Sequence, residues 1–213
     1  MAKISAFDRQ AAEYDAWFEK NNALYQAEID ALRSVVPACG HGVEIGVGTG
    51  RFAVPLGISV GVEPSVEMAE LARFRGIEVI DGVAEDLSLA DNSFDFAVMV
   101  TVVCFLDDIA KAFQEAWRIL KHEGILVIGF IDRESELGRI YSQKKEQSIF
   151  YRDATFYSVC ELETLLTESG FSGFSHRQTL LPGETTHLNV VEGYGSGGFV
   201  VIKAQKAEKG RQT

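Results

Sequence analysis

Residues 43–50, VEIGVGTG, join a short apolar segment to three alternate glycines. A buried strand that ends in a glycine-rich turn is typical of doubly wound α/β folds, in which ligands bind at the carboxyl ends of the parallel strands. Glycine allows positive φ angles and a close approach of the backbone to a ligand. Because three alternate glycines exceed what a tight turn requires, this stretch predicts a ligand-binding turn.

The acidic residue ahead of the glycines, Glu44, bears on the choice of ligand. Gly48, Gly50 and Ala53 satisfy the dinucleotide pattern G-x-G-x-x-A, and Glu63 follows at the distance expected of a ribose partner. A carboxylate at the turn would repel a pyrophosphate, whereas it would attract an ammonium or sulfonium group. S-adenosylmethionine carries both of these cations and a ribose, but no phosphate. We therefore predict this cofactor, with an NAD-dependent oxidoreductase as an alternative.

Short apolar runs alternate with helical patterns along the rest of the chain. Strands are predicted at residues 43–45, 57–62, 77–80, 94–100, 125–131, 174–180 and 198–204, and helices at residues 7–36, 65–75, 109–120 and 158–170. Such alternation predicts a parallel sheet with right-handed crossovers, and no long helix separates the last two strands. The predicted fold is α/β and Rossmann-like, a doubly wound, seven-stranded, mostly parallel sheet with an antiparallel last strand and an N-terminal helical cap.

The same pattern suggests how the chain is divided. Residues 1–36 are expected to form a helical cap or lid, residues 37–206 a cofactor-binding domain, and residues 207–213 a tail. Within the domain, residues 132–157 mix polar and aromatic side chains without a clear period, which favours a covering insertion over a core element.

Composition bears on the partners and the compartment. The chain has 213 residues, 46% of them hydrophobic, and a formal net charge of −11, which opposes binding to nucleic acid. No apolar run reaches the length of a membrane span. Three cysteines far apart favour a reducing cytoplasm over a disulfide framework. Cys39 is predicted at the opposite end of the sheet from Cys104 and Cys160, so we expect no metal site.

Four stretches together resemble one known family. VEIGVGTGRF (43–52) resembles motif I of the class I S-adenosylmethionine-dependent methyltransferases, and GVEPS (61–65) resembles their second-strand motif. DGVAEDLSLADNSFDFAVMV (81–100) is similar to the segment that holds the adenine contact and the fourth strand. AWRILKHEGILVIG (116–129) resembles the helix and fifth strand of the small-molecule, methyltransferase type 11-like branch. The resemblance covers residues 40–131 and implies methyl transfer to a small-molecule acceptor by in-line displacement.

The resemblance also implies the cofactor contacts. Glu44, Gly46, Gly48 and Gly50 would face the methionine part, Glu63 the ribose, Pro64, Ala84 and Glu85 the adenine, and Thr101 and Val102 the sulfonium. A non-catalytic S-adenosylmethionine-binding sensor with the same fold is the second alternative.

The acceptor site is less well defined by the sequence. Two aromatic groups, Tyr14–Phe18 and Phe150–Tyr157, favour an apolar or aromatic acceptor, and the first of them is a candidate lid. Four side chains could act as a base if the acceptor must lose a proton, namely Tyr14, Asp132, Tyr157 and His187. The sequence does not choose among them, and it leaves the oligomeric state open.

Overall fold

The computed structural model describes residues 5–184 and 188–207. Its helices are α1 (Ser5–Lys20), α2 (Asn22–Arg33), α3 (Ala53–Leu56), α4 (Val66–Phe74), α5 (Ile109–Ile119), α6 (Glu136–Lys144) and α7 (Val159–Glu168). Its strands are β1 (Gly42–Ile45), β2 (Val60–Glu63), β3 (Glu78–Asp81), β4 (Phe94–Val100), β5 (Leu120–Ile131), β6 (Phe171–Thr179), β7 (Val191–Glu192) and β8 (Phe199–Lys206).

All the strands form one sheet in the order β3-β2-β1-β4-β5-β8-β6-β7. Strands β1 to β5 pair in parallel, whereas β8 runs antiparallel to both β5 and β6. The chain moves outward from β1 to β3 and then returns to place β4 on the other side of β1. The strand order therefore reverses between β1 and β4, and a crevice forms at their carboxyl ends.

The predicted α/β fold with an antiparallel last strand is confirmed, although the sheet has eight strands and not seven. The additional strand, β7, has two residues and pairs with β6 at Arg177–Glu192 and Gln178–Val191. Two residues are too few to show the alternation of apolar and polar side chains by which a strand is recognised in a sequence.

Helices cover both faces of the sheet. Phe113 of α5 and Leu162 of α7 are fully buried in one hydrophobic cluster, whereas Leu32 of α2 and Ala72 of α4 belong to a second cluster on the other face. The ends of two of these helices follow the sequence pattern. Ser65 caps α4, and Ser158 with Glu161 forms a capping box on α7.

The N-terminal segment is not the single helix predicted over residues 7–36, because α1 is kinked at Gln10 and a break separates α1 from α2. The break is at Asn21, which has φ −116° and whose side-chain amide donates to the Trp17 carbonyl at 2.9 Å. Asparagine side chains compete with backbone groups for hydrogen bonds and so disfavour the interior of a helix. Because of the break, α2 packs against β5, β6 and β8, while α1 contacts α4.

Two other segments differ from their predicted form. Strand β5 begins at Leu120, because Leu120 pairs with Phe94 before the register shifts at the start of the main ladder. The covering segment 132–157 contains a helix, α6, whose cap residue Ser135 accepts a hydrogen bond from the Gly138 N–H at 2.9 Å. Its helical period was hidden by the short length of α6. Within the described ranges, no helix is both long and apolar enough to span a membrane.

Candidate active site

A cavity of about 270 Å³ lies at the carboxyl ends of β1, β2 and β4, where the strand order reverses. Eight of the ten predicted cofactor residues line it: Gly46, Gly48, Glu63, Pro64, Ala84, Glu85, Thr101 and Val102. The remaining two, Glu44 and Gly50, do not.

The three glycines of the turn serve different purposes, although all have positive φ angles between 54° and 81°. A Cβ on Gly46 would lie 2.5 Å from a Val102 methyl group, so this glycine permits close contact between the turn and the segment after β4. A Cβ on Gly50 would lie 3.4 Å from Ala72 of α4. At Gly48 the nearest atom would be Met68 Cε at 3.6 Å, so Gly48 presents its backbone to the cavity.

Glu63, the last residue of β2, connects the glycine turn to α4. Its Oε2 accepts a hydrogen bond from the Gly48 N–H at 2.8 Å, and its Oε1 accepts one from the Ser65 N–H at 3.0 Å. Burial raises the pKa of Glu63, and the two N–H groups partly oppose that rise. A carboxylate has about four acceptor positions, so those not used here can receive the hydroxyls of a bound ribose.

Glu44 lies beneath the glycine turn and is only 1% exposed. It accepts a hydrogen bond from the Ala53 N–H at the start of α3, and its Oε2 has no partner among the described residues. Burial raises the pKa of Glu44 well above its usual value, and the nearby Glu63 raises it further. A buried carboxyl oxygen without a partner is costly, and a cationic group on the other side of the turn would reduce that cost.

Thr101 follows β4 in a conformation that is unusual for a β-branched residue, with φ +54°. Its N–H donates to the Gly129 carbonyl of β5 at 2.7 Å, and its side chain forms a hydrogen bond with Tyr14. Strained backbone of this kind is concentrated at functional sites. The contact with Tyr14 brings α1 over the predicted sulfonium position.

Of the three candidate bases that lie within the described residues, Tyr14 alone lines the cavity. Asp132 is 2% exposed and accepts from the Glu134 N–H at 3.1 Å, so it stabilises the turn after β5. Tyr157 lines a separate, much smaller pocket of about 10 Å³. His187 lies outside the described residues. Burial raises the pKa of Tyr14 far above its usual value, so its hydroxyl stays protonated at neutral pH.

Aromatic side chains close the cavity from two directions. Phe7 of α1 stacks on Phe150 of the covering segment with ring centroids 5.5 Å apart, and Tyr14 meets Phe150 edge-on at 5.6 Å. Phe7 also meets Phe105, after β4, at 5.0 Å. The two parts of this cover therefore contact each other and the sheet edge.

An ion-pair cluster that the sequence analysis missed fixes α1 in place. Asp15 bonds Arg51 of the glycine turn at 2.7 and 2.9 Å, and Arg75, after α4, at 2.8 Å. Burial alone would raise the pKa of Asp15, but the bonds from Arg51 and Arg75 outweigh it and hold this pKa well below its usual value. These residues are far apart in the sequence, so no local signal pointed to the cluster.

A buried acid on α2, Glu28, was also missed. Glu28 is 5% exposed, lines the cavity, and has its pKa raised by burial to about 8. Glu28 lies on the apolar face of an amphipathic helix. An acid at such a position could have been recognised in the sequence as a candidate functional residue.

The three cysteines are not joined by disulfide bonds; Cys104 is buried, whereas Cys39 and Cys160 are exposed. Across residues 5–184 and 188–207, no group of three or more His, Cys, Asp or Glu side chains could hold a metal ion.

S-adenosylmethionine fits these residues. The Gly48 backbone faces the cavity, the Glu63 carboxyl lies beside it, and the unpaired Glu44 oxygen lies beneath the turn, where a bound cation would favour the ionised form of Glu44. A pyrophosphate in the same place would meet two carboxyls. Arg51, the basic residue of the turn, would not offset them, because it is paired with Asp15 and Glu19.

Comparisons with known proteins agree with this site. Residues 43–128 match the methyltransferase domain family. A crystal structure from Thermotoga maritima, described as a SAM-dependent methyltransferase and possible histamine N-methyltransferase, is 51% identical, has a TM-score of 0.92 and covers 95% of this chain and 99% of its own.

Curated relatives cover both the whole chain and its central part. An uncharacterized protein of Methanocaldococcus jannaschii is 46% identical over 205 residues, which span 95% of this chain and 100% of that protein. Demethylmenaquinone methyltransferase of Roseiflexus sp. is 37% identical over 95 residues, or 40% of each chain. Together with the cavity at the strand-order reversal and its glycine turn, these similarities show that the chain belongs to the S-adenosylmethionine-dependent methyltransferases.

Proposed function

We propose that this enzyme transfers a methyl group from S-adenosylmethionine to a small molecule held in the cavity beneath α1 and the covering segment. The observation that carries the proposal is the continuity of the cavity. The same space extends from the glycine turn and Glu63 to a wall of aromatic side chains that includes Tyr14, Tyr141 and Tyr151. We propose that the cofactor and a small acceptor lie in contact within it.

The bound cofactor supplies a methyl group activated by a sulfonium. The protein's contribution is to bind and orient. Glu63 is proposed to hold the ribose hydroxyls, the Gly46–Gly48 backbone the methionine part, and Pro64 and Ala84 the adenine. Glu44 favours a cation above the turn through its charge, from beneath and without direct exposure to the cavity. Thr101 and Val102 lie under the proposed sulfonium position.

Positioning is proposed to account for most of the rate. Holding two reactants in line can lower a barrier by roughly 7 to 11 kcal/mol in well-oriented systems. The contacts of Phe7 and Tyr14 with Phe150 lie over the cavity, and we propose that they limit the entry of water and open for exchange of ligands. On this basis we propose residues 1–36 and 132–157 as the lid and residues 37–206 as the catalytic domain.

The acceptor is proposed to be small and partly aromatic, and not a nucleic acid, because carboxyls line the cavity and the net charge is −11. The description of the Thermotoga maritima protein as a possible histamine N-methyltransferase makes histamine one compound to test.

Two measurements test the proposal. Calorimetry should show that S-adenosylhomocysteine binds and that NAD does not. A turnover screen over amines, thiols, phenols and carbon acids should then detect release of S-adenosylhomocysteine. Binding without turnover of any acceptor would favour the sensor alternative, and binding of NAD alone would contradict the proposed function.

A further inference from the structure

We propose that the methyl acceptor is an amine, and that Glu28 binds its nitrogen and takes a proton from it during transfer. This inference rests on the proposed function and assigns to Glu28 a role in recognition and catalysis.

The position of Glu28 separates it from the proposed cofactor contacts. Leu32, one turn later on the same face of α2, packs over β5, since a Cβ on Gly129 would lie 3.2 Å from its Cδ2. Glu28 therefore enters the cavity from the β5 side, whereas Glu63 enters from β2. Glu44 interacts electrostatically with Glu63, whereas Glu28 interacts with Tyr141 and Tyr151. Tyr14 lies between the two groups and interacts with all three carboxyls.

The surroundings of Glu28 leave its carboxyl without a protein partner. Across the described ranges, no N–H or O–H group donates a hydrogen bond to it, and no Lys, Arg or His forms a salt bridge with it. The two tyrosines nearest in the covering segment, Tyr141 and Tyr151, contact each other with ring centroids 5.3 Å apart. Glu28 is thus a buried acid that faces a cavity walled by aromatic rings.

This combination selects the chemistry of the ligand. A buried carboxylate is costly unless a cation or hydrogen-bond donors reach it. An amine offers both, and its protonated form is attracted to aromatic faces as well. A carboxylate or phosphate ligand would gain no such stabilisation, and its negative charge would oppose the ionisation of Glu28 and Glu63 in the same cavity. Lys20 and Glu13 also line the cavity, but both are exposed and lie at its mouth.

The proposed step balances in atoms and charge. An ammonium beside the Glu28 carboxylate passes one proton to it, because a dry site disfavours two separate charges and favours the neutral pair. The nitrogen lone pair then forms the N–C bond, the C–S bond breaks, and its electron pair stays on sulfur. A further N–H proton leaves the methylated nitrogen after Glu28 has released the first proton to solvent through the mouth of the cavity.

The test uses three probes of matched shape, 2-phenylethylamine, 2-phenylethanol and 2-phenylethanethiol. With S-adenosylmethionine present, the wild type should turn over the amine at least 100-fold faster than the alcohol or the thiol. Calorimetry on the protein saturated with S-adenosylhomocysteine should show binding of the amine only. Faster turnover of the alcohol or the thiol, or no binding of the amine, would overturn the assignment while leaving methyl transfer itself intact.

Glu28→Gln keeps the size of the side chain and removes its basicity. We expect amine turnover to fall by about 100-fold or more, as for loss of a general base, and amine affinity to fall at least tenfold, while S-adenosylhomocysteine affinity stays within threefold. The matched control is Glu70→Gln, which removes the same charge on the exposed face of α4, outside the cavity, and should change none of these values. Loss of S-adenosylhomocysteine affinity in Glu28→Gln would show that Glu28 serves the cofactor and would refute the proposal. Failure of the wild type to bind S-adenosylhomocysteine would refute the proposed function as well.

Discussion

The Asp15 carboxylate of α1 accepts two parallel hydrogen bonds from the Arg51 side chain of the glycine turn, at 2.9 and 2.7 Å. The same carboxylate accepts a hydrogen bond from Arg75 at 2.8 Å. Asp15 is 16% exposed and Arg51 17% exposed, so the pair is better shielded than a typical surface ion pair. Two-bonded arginine–carboxylate pairs fix geometry as well as adding stability. The cluster therefore couples the position of α1 to the turn that is proposed to receive the cofactor.

Asp15→Asn tests this coupling. The substitution removes the charge that holds Arg51 and Arg75, so we expect α1 to open more often and S-adenosylhomocysteine affinity to fall about tenfold, with a loss of about 1–3 kcal/mol in the free energy of unfolding. Calorimetry and hydrogen exchange of residues 5–20 would measure both effects. Asp30→Asn on α2 is the control, because Asp30 is 53% exposed. Unchanged exchange in α1 would contradict the role of the cluster.

Glu63→Gln should weaken cofactor binding without unfolding the turn. The amide oxygen of glutamine can still accept from the Gly48 N–H, but the charge-assisted bonds to the ribose hydroxyls are lost. We expect S-adenosylhomocysteine affinity to fall by roughly 10- to 100-fold, which corresponds to about 1.5–3 kcal/mol. Glu70→Gln, on the exposed face of α4, should leave the affinity unchanged. Equal affinities for the two variants would remove Glu63 from the proposed cofactor site.

Binding of S-adenosylmethionine should release protons. Burial raises the pKa of Glu44 and of Glu63, so these carboxyls hold protons more tightly in the empty site than in water. A bound cation favours their ionised form, and protons must leave as it binds. Calorimetry in buffers of different ionisation enthalpy would count the protons released. We expect fewer for S-adenosylhomocysteine, which lacks the sulfonium charge, and fewer in Glu44→Gln. Identical counts for wild type and variant would contradict the electrostatic role of Glu44.

Glu28 should make the empty protein less stable as pH rises. Its pKa is about 8 in the folded state against 4.5 for an exposed group, so the folded state binds the extra proton across this window. The contribution of protonated Glu28 to the stability of the folded state is therefore complete below pH 4.5 and is lost as pH rises through 8. The groups that face Glu28 are Tyr14, Tyr141 and Tyr151, which do not ionise in this range.

Replacing Glu28 with Gln removes that dependence. At pH 8 we expect Glu28→Gln to unfold at a temperature higher by roughly 5 to 10 °C, with a much smaller difference at pH 5. Thermal unfolding of both proteins in the absence of ligands measures this, and Glu13→Gln should follow the wild type. A difference that does not grow between pH 5 and pH 8 would argue against a buried, titrating Glu28.

A comparison of Gly46→Ala with Gly57→Ala distinguishes the energetic cost of backbone strain from the cost of a steric clash. Gly46 and Gly57 have nearly the same φ, 75° and 71°, but a Cβ on Gly46 would lie 2.5 Å from Val102, whereas nothing lies within 4 Å of one on Gly57. Gly57→Ala should cost about 1 kcal/mol through φ alone. Gly46→Ala should cost clearly more and should also lower S-adenosylhomocysteine affinity. Equal unfolding free energies for the two variants would show that the contact with Val102 is not needed.

The alternation of strands and helices from Val43 to Ile131 was readable from the sequence alone, and so was the glycine turn. These features are local, because a buried strand, a helix cap such as Ser65 and a turn glycine each correspond to a recognisable pattern within a few neighbouring residues. The order of those patterns along the chain was enough to predict the α/β fold and the antiparallel last strand, whereas the family was inferred from the resemblance of four stretches to its motifs. The sequence did not reveal the two-residue β7, the short helix α6 or the break at Asn21.

Only the tertiary structure decided which side chains meet. Glu44 and Glu63 look alike in the sequence, yet one lies beneath the turn and the other lines the cavity. Asp15 meets Arg75 across 60 residues of sequence, and Glu28 lines the cavity from α2, a different helix from the one that carries Tyr14. Such contacts depend on the angle at which distant elements pack. No short stretch of sequence determines that angle, because it results from the burial of apolar faces throughout the molecule.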